Sequence, residues 1–205
     1  MLNSRFFPLL VFVLALFAAC KKDDNPASGG GSPTNSFTVN GAGYNNRTFI
    51  VPASLNVPQF PLPSPAIGTY VPQDSATVCY QLVAVVSFDS IRTGCLLGFL
   101  GNRTGTYQSA SRAAGFELYV EGRKFLGGYD GQTLYSGTSA TINVTRYDPV
   151  GGRIQGAYSG TLREEVNGAL TNTTITLTGN FDVLHISNPG GGNRSLSLGQ
   201  TTQAE

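Results

Sequence analysis

Polar and apolar residues alternate with a period of two over much of the second half of this 205-residue chain. In Thr171 to Ile186, Ile175, Leu177, Phe181 and Val183 share one parity, and Thr174, Thr176, Thr178, Asn180 and Asp182 share the other. That is the pattern of a strand with one face in a core and one in water. Ser139 to Tyr147 repeats it, with Ile142 and Val144 inward and Thr141, Asn143 and Thr145 outward. The run then stops at Asp148-Pro149-Val150-Gly151-Gly152, which reads as a hairpin turn. Arg153 to Leu162 returns with Ile154, Tyr158 and Leu162 on one face, where Gly156 and Gly160 mark bends or bulges. Asn167-Gly168 follows, the strongest short hairpin signal.

Upstream, Phe116, Leu118 and Val120 alternate with Glu117, Tyr119 and Glu121, and Asp130-Gly131 marks a turn before Thr133 to Tyr135. Val78 to Phe88 and Cys95 to Leu100 are apolar on both parities, as expected of central strands covered on both sides. Residues 51 to 72 contain Pro52, Pro58, Pro61, Pro63, Pro65 and Pro72, which withhold backbone donors from a sheet and predict a long loop or edge cover. Few segments carry a helical period. The pattern predicts an all-β fold, an antiparallel β-sandwich of hairpins and meanders, with a closed antiparallel β-barrel as the alternative.

The first nineteen residues are different. One positive charge, Arg5, precedes an apolar run from Phe6 to Ala19, the layout of a signal peptide. As a helix, that run would extend about 21 Å at roughly 1.5 Å per residue, short of the ~30 Å hydrocarbon core of a bilayer. Residues 20–36 contain Asn25 to Ser36, rich in Gly, Ser, Pro and Asn, which predicts a flexible tether. The folded domain is expected over residues 37–187, with a second Gly-rich stretch at 188–205 fraying as a tail. Loss of residues 1–19 removes Arg5 alone and leaves the basic residues balanced against 12 Asp and Glu. No basic patch emerges, so nucleic acid is not an expected partner.

The segment Leu16-Phe17-Ala18-Ala19-Cys20 resembles the lipobox of bacterial lipoproteins, departing from it at Phe17, where Leu is usual. The resemblance implies cleavage before Cys20, a thioether from its sulfur to diacylglycerol, and attachment to a membrane through that lipid. Two or three acyl chains hold a domain firmly at a bilayer where one does not. Lys21-Lys22-Asp23-Asp24 resembles the Lys-Asp-Asp surface-export signal of Bacteroidota lipoproteins, which implies the outer membrane and its outer face. The domain adds Asn40-Gly41 near its first strand and Gly105-Thr106-Tyr107 later, and so resembles small Bacteroidota surface lipoproteins with a single all-β domain. That family likeness implies a β-sandwich and supplies no catalytic residue.

Candidate chemistry is sparse. His185 is the only histidine and falls on the apolar parity of its strand, with no ligand-type neighbour at metal-binding spacing, so neither metal nor cofactor is expected. No Gly-x-Ser-x-Gly elbow exists to serve a triad. Glu164-Glu165 beside the Asn167-Gly168 turn reads as solvated surface, because adjacent strand residues point to opposite faces. A glycan-active enzyme would have to pair carboxylates from different strands, Glu117 or Glu121 with Asp182. No catalytic residue is assigned.

Tyr119, Tyr129, Tyr135 and Tyr147 fall at expected exposed or turn positions, where a phenol ring can stack on a sugar or meet a partner. Cys79 and Cys95 are a possible disulfide in an oxidising envelope. Ser75 and Ser90 lie in Asp-Ser-apolar triplets that resemble Bacteroidota O-glycosylation sites. Together these features predict a non-enzymatic, lipid-anchored outer-membrane or cell-surface protein that binds a glycan or envelope component. The alternatives are a structural envelope protein acting only through protein contacts and, third, a glycan-active enzyme.

Overall fold

The computed structural model describes residues 35–55, 62–87 and 90–188. Cys20 and the leader lie outside them. The eleven strands are β1 (Ser36–Gly41), β2 (Tyr44–Ile50), β3 (Ala66–Val71), β4 (Ala76–Ser87), β5 (Ser90–Leu100), β6 (Gly105–Gln108), β7 (Ala114–Val120), β8 (Arg123–Gly128), β9 (Ser139–Tyr147), β10 (Arg153–Val166) and β11 (Ala169–Ile186). No helix among the described residues is long and apolar enough to cross a membrane.

The strands form one continuous sheet in the order β2-β1-β11-β3-β4-β5-β7-β8-β10-β9-β6, with β10 also paired to β11. The long β10–β11 hairpin is its hinge. Along most of their length these strands pair with each other and with β1 and β9. At one end of the hairpin Arg163 to Glu165 pair instead with β8, and at the other Leu184 to Ile186 pair with β3. The sheet therefore folds into two facing layers, β2-β1-β11-β10-β9-β6 and β3-β4-β5-β7-β8, joined at opposite ends of one hairpin. This is an all-β, sandwich-like arrangement. All pairs are antiparallel except β3 with β11, so the sheet is mixed and not purely antiparallel as the meander pattern predicts.

Local chemistry explains most of the strand ends. Asn167 and Gly168 both have positive φ, at 53° and 79°, as a two-residue hairpin between Val166 and Ala169 requires. β3 was hidden by the proline-rich composition around it. Ala66-Ile-Gly-Thr-Tyr-Val71 is a proline-free run between Pro65 and Pro72, and Pro65 contributes only its carbonyl, which accepts the Leu82 N–H at 2.9 Å.

The core lies between the layers. Phe116 of β7, Tyr158 of β10 and Phe181 of β11 form an aromatic line, with centroids 5.5 Å and 6.3 Å apart. Space for it comes from the inward glycines of β10: a β-carbon on Gly160 would meet the Phe116 ring at 2.7 Å, and one on Gly156 would meet Phe181 at the same distance. Their inward placement matches the alternation, and close approach of rings is what demands them. Tyr158 donates to Gln81 Oε1 at 2.6 Å, while Gln81 Nε2 donates to the Asn180 carbonyl at 2.8 Å. A fully buried glutamine of β4 is thus satisfied across the core by β10 and β11 of the facing layer.

Both faces are buried in the middle of β4 and β5, as the apolar runs predict, but Val83 to Val85 are half-buried and Val86 is exposed, so the expected cover does not extend along the whole of Val78 to Phe88. Cys79, Cys95 and Leu97 face the other layer, and Val78, Leu82 and Leu96 face away. The two cysteines are free thiols, which corrects the possible disulfide. Cys79 stands opposite Leu97, and Cys95 opposite Gln81, so the cysteines are diagonal neighbours. Such neighbours lie roughly 7 Å apart, beyond the ~4 Å between β-carbons that a disulfide needs. Burial pushes the Cys95 thiol up to about 12 and raises Cys79 well above its ordinary value, with Cys95 adding to the effect on Cys79.

Candidate functional site

The two ends of the sandwich are finished differently. At the end that carries the β7–β8 turn, Arg123 and Glu164 meet at 2.7 Å, and the guanidinium lies over Tyr44 and Phe125, 5.7 Å and 5.1 Å from their centroids. Arg123 also donates to the Ala42 carbonyl at 2.9 Å. An ion pair and two rings plug this end. The pairing holds the Glu164 carboxyl below its ordinary range.

At the opposite end, inward positions of several strands carry aromatic rings that leave an open mouth. Phe99 of β5 packs on Tyr107 of β6 at 4.8 Å and edge-on to Tyr147 of β9 at 6.5 Å. Tyr147 in turn stands edge-on to His185 of β11 at 5.2 Å. Outside this layer of rings is a cleft of about 580 Å³, lined by Tyr70, Asn102, Tyr147, Asp148, Val150 and His185 among others. That volume is within the range of small-ligand sites, roughly 300 to 1,000 Å³.

Tyr147 reaches the mouth through a bulge. Gln155 pairs with Arg146 but Gly156 pairs with Val144, so Thr145 is an extra residue on β9. Without it, the inward parity of Ile142 and Val144 would continue to Arg146 and send Tyr147 outward. With it, Arg146 is half-exposed in solvent and the tyrosine ring turns in. The Tyr147 hydroxyl is 2.8 Å from Thr77 Oγ1, which itself donates to the Gly101 carbonyl at 2.6 Å. These bonds fix the ring, and burial raises its phenol above the ordinary value.

The alternation places His185 inward, and it is buried there. Its Nδ1 lies 2.6 Å from the Asp148 carbonyl. A carbonyl only accepts, so in the neutral ring Nδ1 carries the proton and Nε2 keeps its lone pair. The turn from Pro149 to Gly152 clamps the same residue, with Gly151 donating to its carbonyl and its own N–H donating to Gly152. Asp148 Oδ2 is 2.7 Å from Arg146 and accepts the Arg153 N–H at 3.0 Å, and both hold its carboxyl below the ordinary range.

The other tyrosines do not join this site. Tyr119 is half-buried on the outer face of β7 and donates to Glu117 Oε1 at 2.5 Å. Burial and that bond raise its phenol strongly. Tyr135 donates to Asp130 Oδ2 at 2.6 Å, and Tyr129 to the Gly131 carbonyl at 2.6 Å. All four tyrosines expected at exposed positions are half-buried, and of them the mouth contains Tyr147 alone. Tyr129 lines a second groove, of about 380 Å³, with Asp74, Arg112 and Gln132. Tyr70 escaped the pattern because it belongs to β3, inside the proline-rich segment.

The carboxylates depart from expectation as well. Glu117 is buried at 6% exposure, and Lys124 lies between it and Glu165, 3.1 Å from one and 2.8 Å from the other. Glu164 and Glu165 do point to opposite faces, but each holds a cation, Arg123 and Lys124, and neither is solvated surface. Glu117 faces away from the core on β7, and Asp182 faces away on β11, in the other layer, where Arg153 holds it at 2.6 Å. The cross-strand carboxylate pair considered for a glycan-active enzyme is therefore not assembled from Glu117 and Asp182. Among the described residues no group of three or more His, Cys, Asp or Glu is placed to hold a metal ion.

Ser75 is exposed in a left-handed conformation at φ 51°, at the end of the Pro72–Asp74 turn, and Ser90 is exposed at the start of β5. No family model, no curated protein and no solved structure matches this chain.

Proposed function

We propose that this chain is the precursor of a lipid-anchored outer-membrane or cell-surface protein whose folded domain is a non-enzymatic binding module for a glycan or other envelope component. The observation that carries the reading is the mouth of the sandwich, a cleft of about 580 Å³ walled by Tyr70 and Tyr147. Aromatic walls with a few fixed polar groups suit a ligand that has apolar faces and hydroxyl edges. The Thr77 bond and the Phe99 contact hold Tyr147 in place, so little conformational entropy is lost on binding. The leader, the lipobox-like segment ending at Cys20 and the charged Lys21-Lys22-Asp23-Asp24 supply the anchoring half of the proposal. The exposed Ser75 and Ser90 suit O-glycosylation, and an unmodified intact mass of the native protein would refute that assignment.

A thermal-shift screen against polysaccharides, peptidoglycan fragments, lipids and divalent cations tests the binding half, because a ligand that binds only the folded state raises Tm. A saturable shift with one class, lost in Tyr70→Ala, is the expected result. A screen without any shift would favour a structural envelope protein acting through protein contacts.

A further inference from the structure

We infer that the mouth selects uncharged glycans and rejects anionic ones; this rests on the reading of the cleft as a glycan site. The one Asp, Glu, Lys or Arg side chain among the residues that line the cleft, Asp148, is already paired. Asp148 is paired with Arg146 at 2.7 Å and takes the Arg153 N–H at 3.0 Å. Arg153 is spent on Asp182, with Nε 2.6 Å from Oδ1 and Nη2 2.5 Å from its carbonyl. Besides Asp148, the residues that wall the cleft are uncharged or apolar: two phenol rings, an imidazole, the polar Asn102, Ser187 and Asn188, and apolar residues such as Val150.

A charged sugar entering here would lose hydration and find no opposite charge to replace it, a cost that uncharged hydroxyls escape. The neutral ligand has partners ready. The rings of Tyr70 and Tyr147 offer faces or edges to the C–H surface of a pyranose. Asn102 can donate and accept, and His185 Nε2 can accept a hydroxyl proton because Nδ1 is committed to the Asp148 carbonyl. Val150, 59% exposed at the lip, extends the apolar wall outward.

The test is titration calorimetry of the full chain in detergent against neutral probes (a β-glucan, a mannan, a galactan and a xylan) and anionic probes (polygalacturonate, alginate and heparin), at 50 and 500 mM NaCl. Binding of at least one neutral probe, with Kd changed less than twofold by salt and weakened about tenfold in Tyr70→Ala, is the expected result. Binding of an anionic probe in preference, weakening steeply with salt, would overturn the selectivity while leaving a glycan-binding protein. Failure of all probes would overturn both. Equal Tm values for Tyr70→Ala and the parent chain keep loss of binding distinct from loss of fold.

Discussion

The ring of Tyr147 stands edge-on to that of His185 with centroids 5.2 Å apart, and the residue after Tyr147 fixes the histidine, because the Asp148 carbonyl meets Nδ1 at 2.6 Å. The β9–β10 turn thus sets both the wall and the polar edge of the mouth. A change in β9 is felt in β11 although the two strands do not pair directly.

Two substitutions at Tyr147 separate its roles. Tyr147→Phe removes only the hydroxyl contact with Thr77 and is expected to cost about 1 kcal/mol in urea unfolding while retaining ligand binding. Tyr147→Ala removes the contacts with Phe99 and His185 as well and is expected to cost about 3 kcal/mol and abolish binding. Equal stability of the two variants would show that the ring packing contributes little.

Gly160→Ala places a β-carbon against the Ser139 carbonyl and the Phe116 ring. Overpacking of this kind is expected to lower stability by about 1 to 3 kcal/mol, read as a lower denaturation midpoint at unchanged slope. Gly151→Ala is the contrasting case, since nothing lies near its β-carbon and only its positive φ of 93° is strained.

Acid should loosen the plugged end of the sandwich. Glu164 has its carboxyl lowered below the ordinary 4.5 by the Arg123 hydrogen bond, so its contribution is fully present above that value. It is lost as pH falls through the lower, folded-state value. Stability measured by urea unfolding from pH 6 down to pH 2 is expected to fall less steeply in Glu164→Gln than in the parent. Parallel curves would remove the ion pair from the acid response.

Cys79 and Cys95 should be silent toward a thiol reagent in the folded protein. Burial raises both thiols, leaving almost no thiolate at pH 8. Both are expected to react in 8 M urea without prior reduction. Reaction of neither after unfolding would reveal a bond between them.

The anchoring half is tested at Cys20. Mass spectrometry of the native N-terminus should show cleavage before Cys20 and a diacylglyceryl thioether, and Cys20→Ala should release the domain from membranes. An unmodified Cys20 on a membrane-bound protein would contradict it.

Strands and their faces are legible in the residue order wherever one side is core and the other water. The Ile175 to Val183 stripe, the inward Ile142 and Val144, and the Asn167-Gly168 turn all stand where alternation and turn chemistry put them, because those signals are local. The same order also places His185 inward. The mouth is a product of long-range pairing. Tyr70 enters it from a strand masked by prolines, paired in parallel with a partner more than a hundred residues away, and Tyr147 enters by a one-residue bulge that reverses its parity. Tertiary contacts likewise decide that Glu117, Glu164 and Glu165 are paired, since their cations come from β8 across the layer and corner contacts. Alternation reports which face a residue takes, whereas a binding site depends on which strands meet at one end, and that is set by long-range pairing.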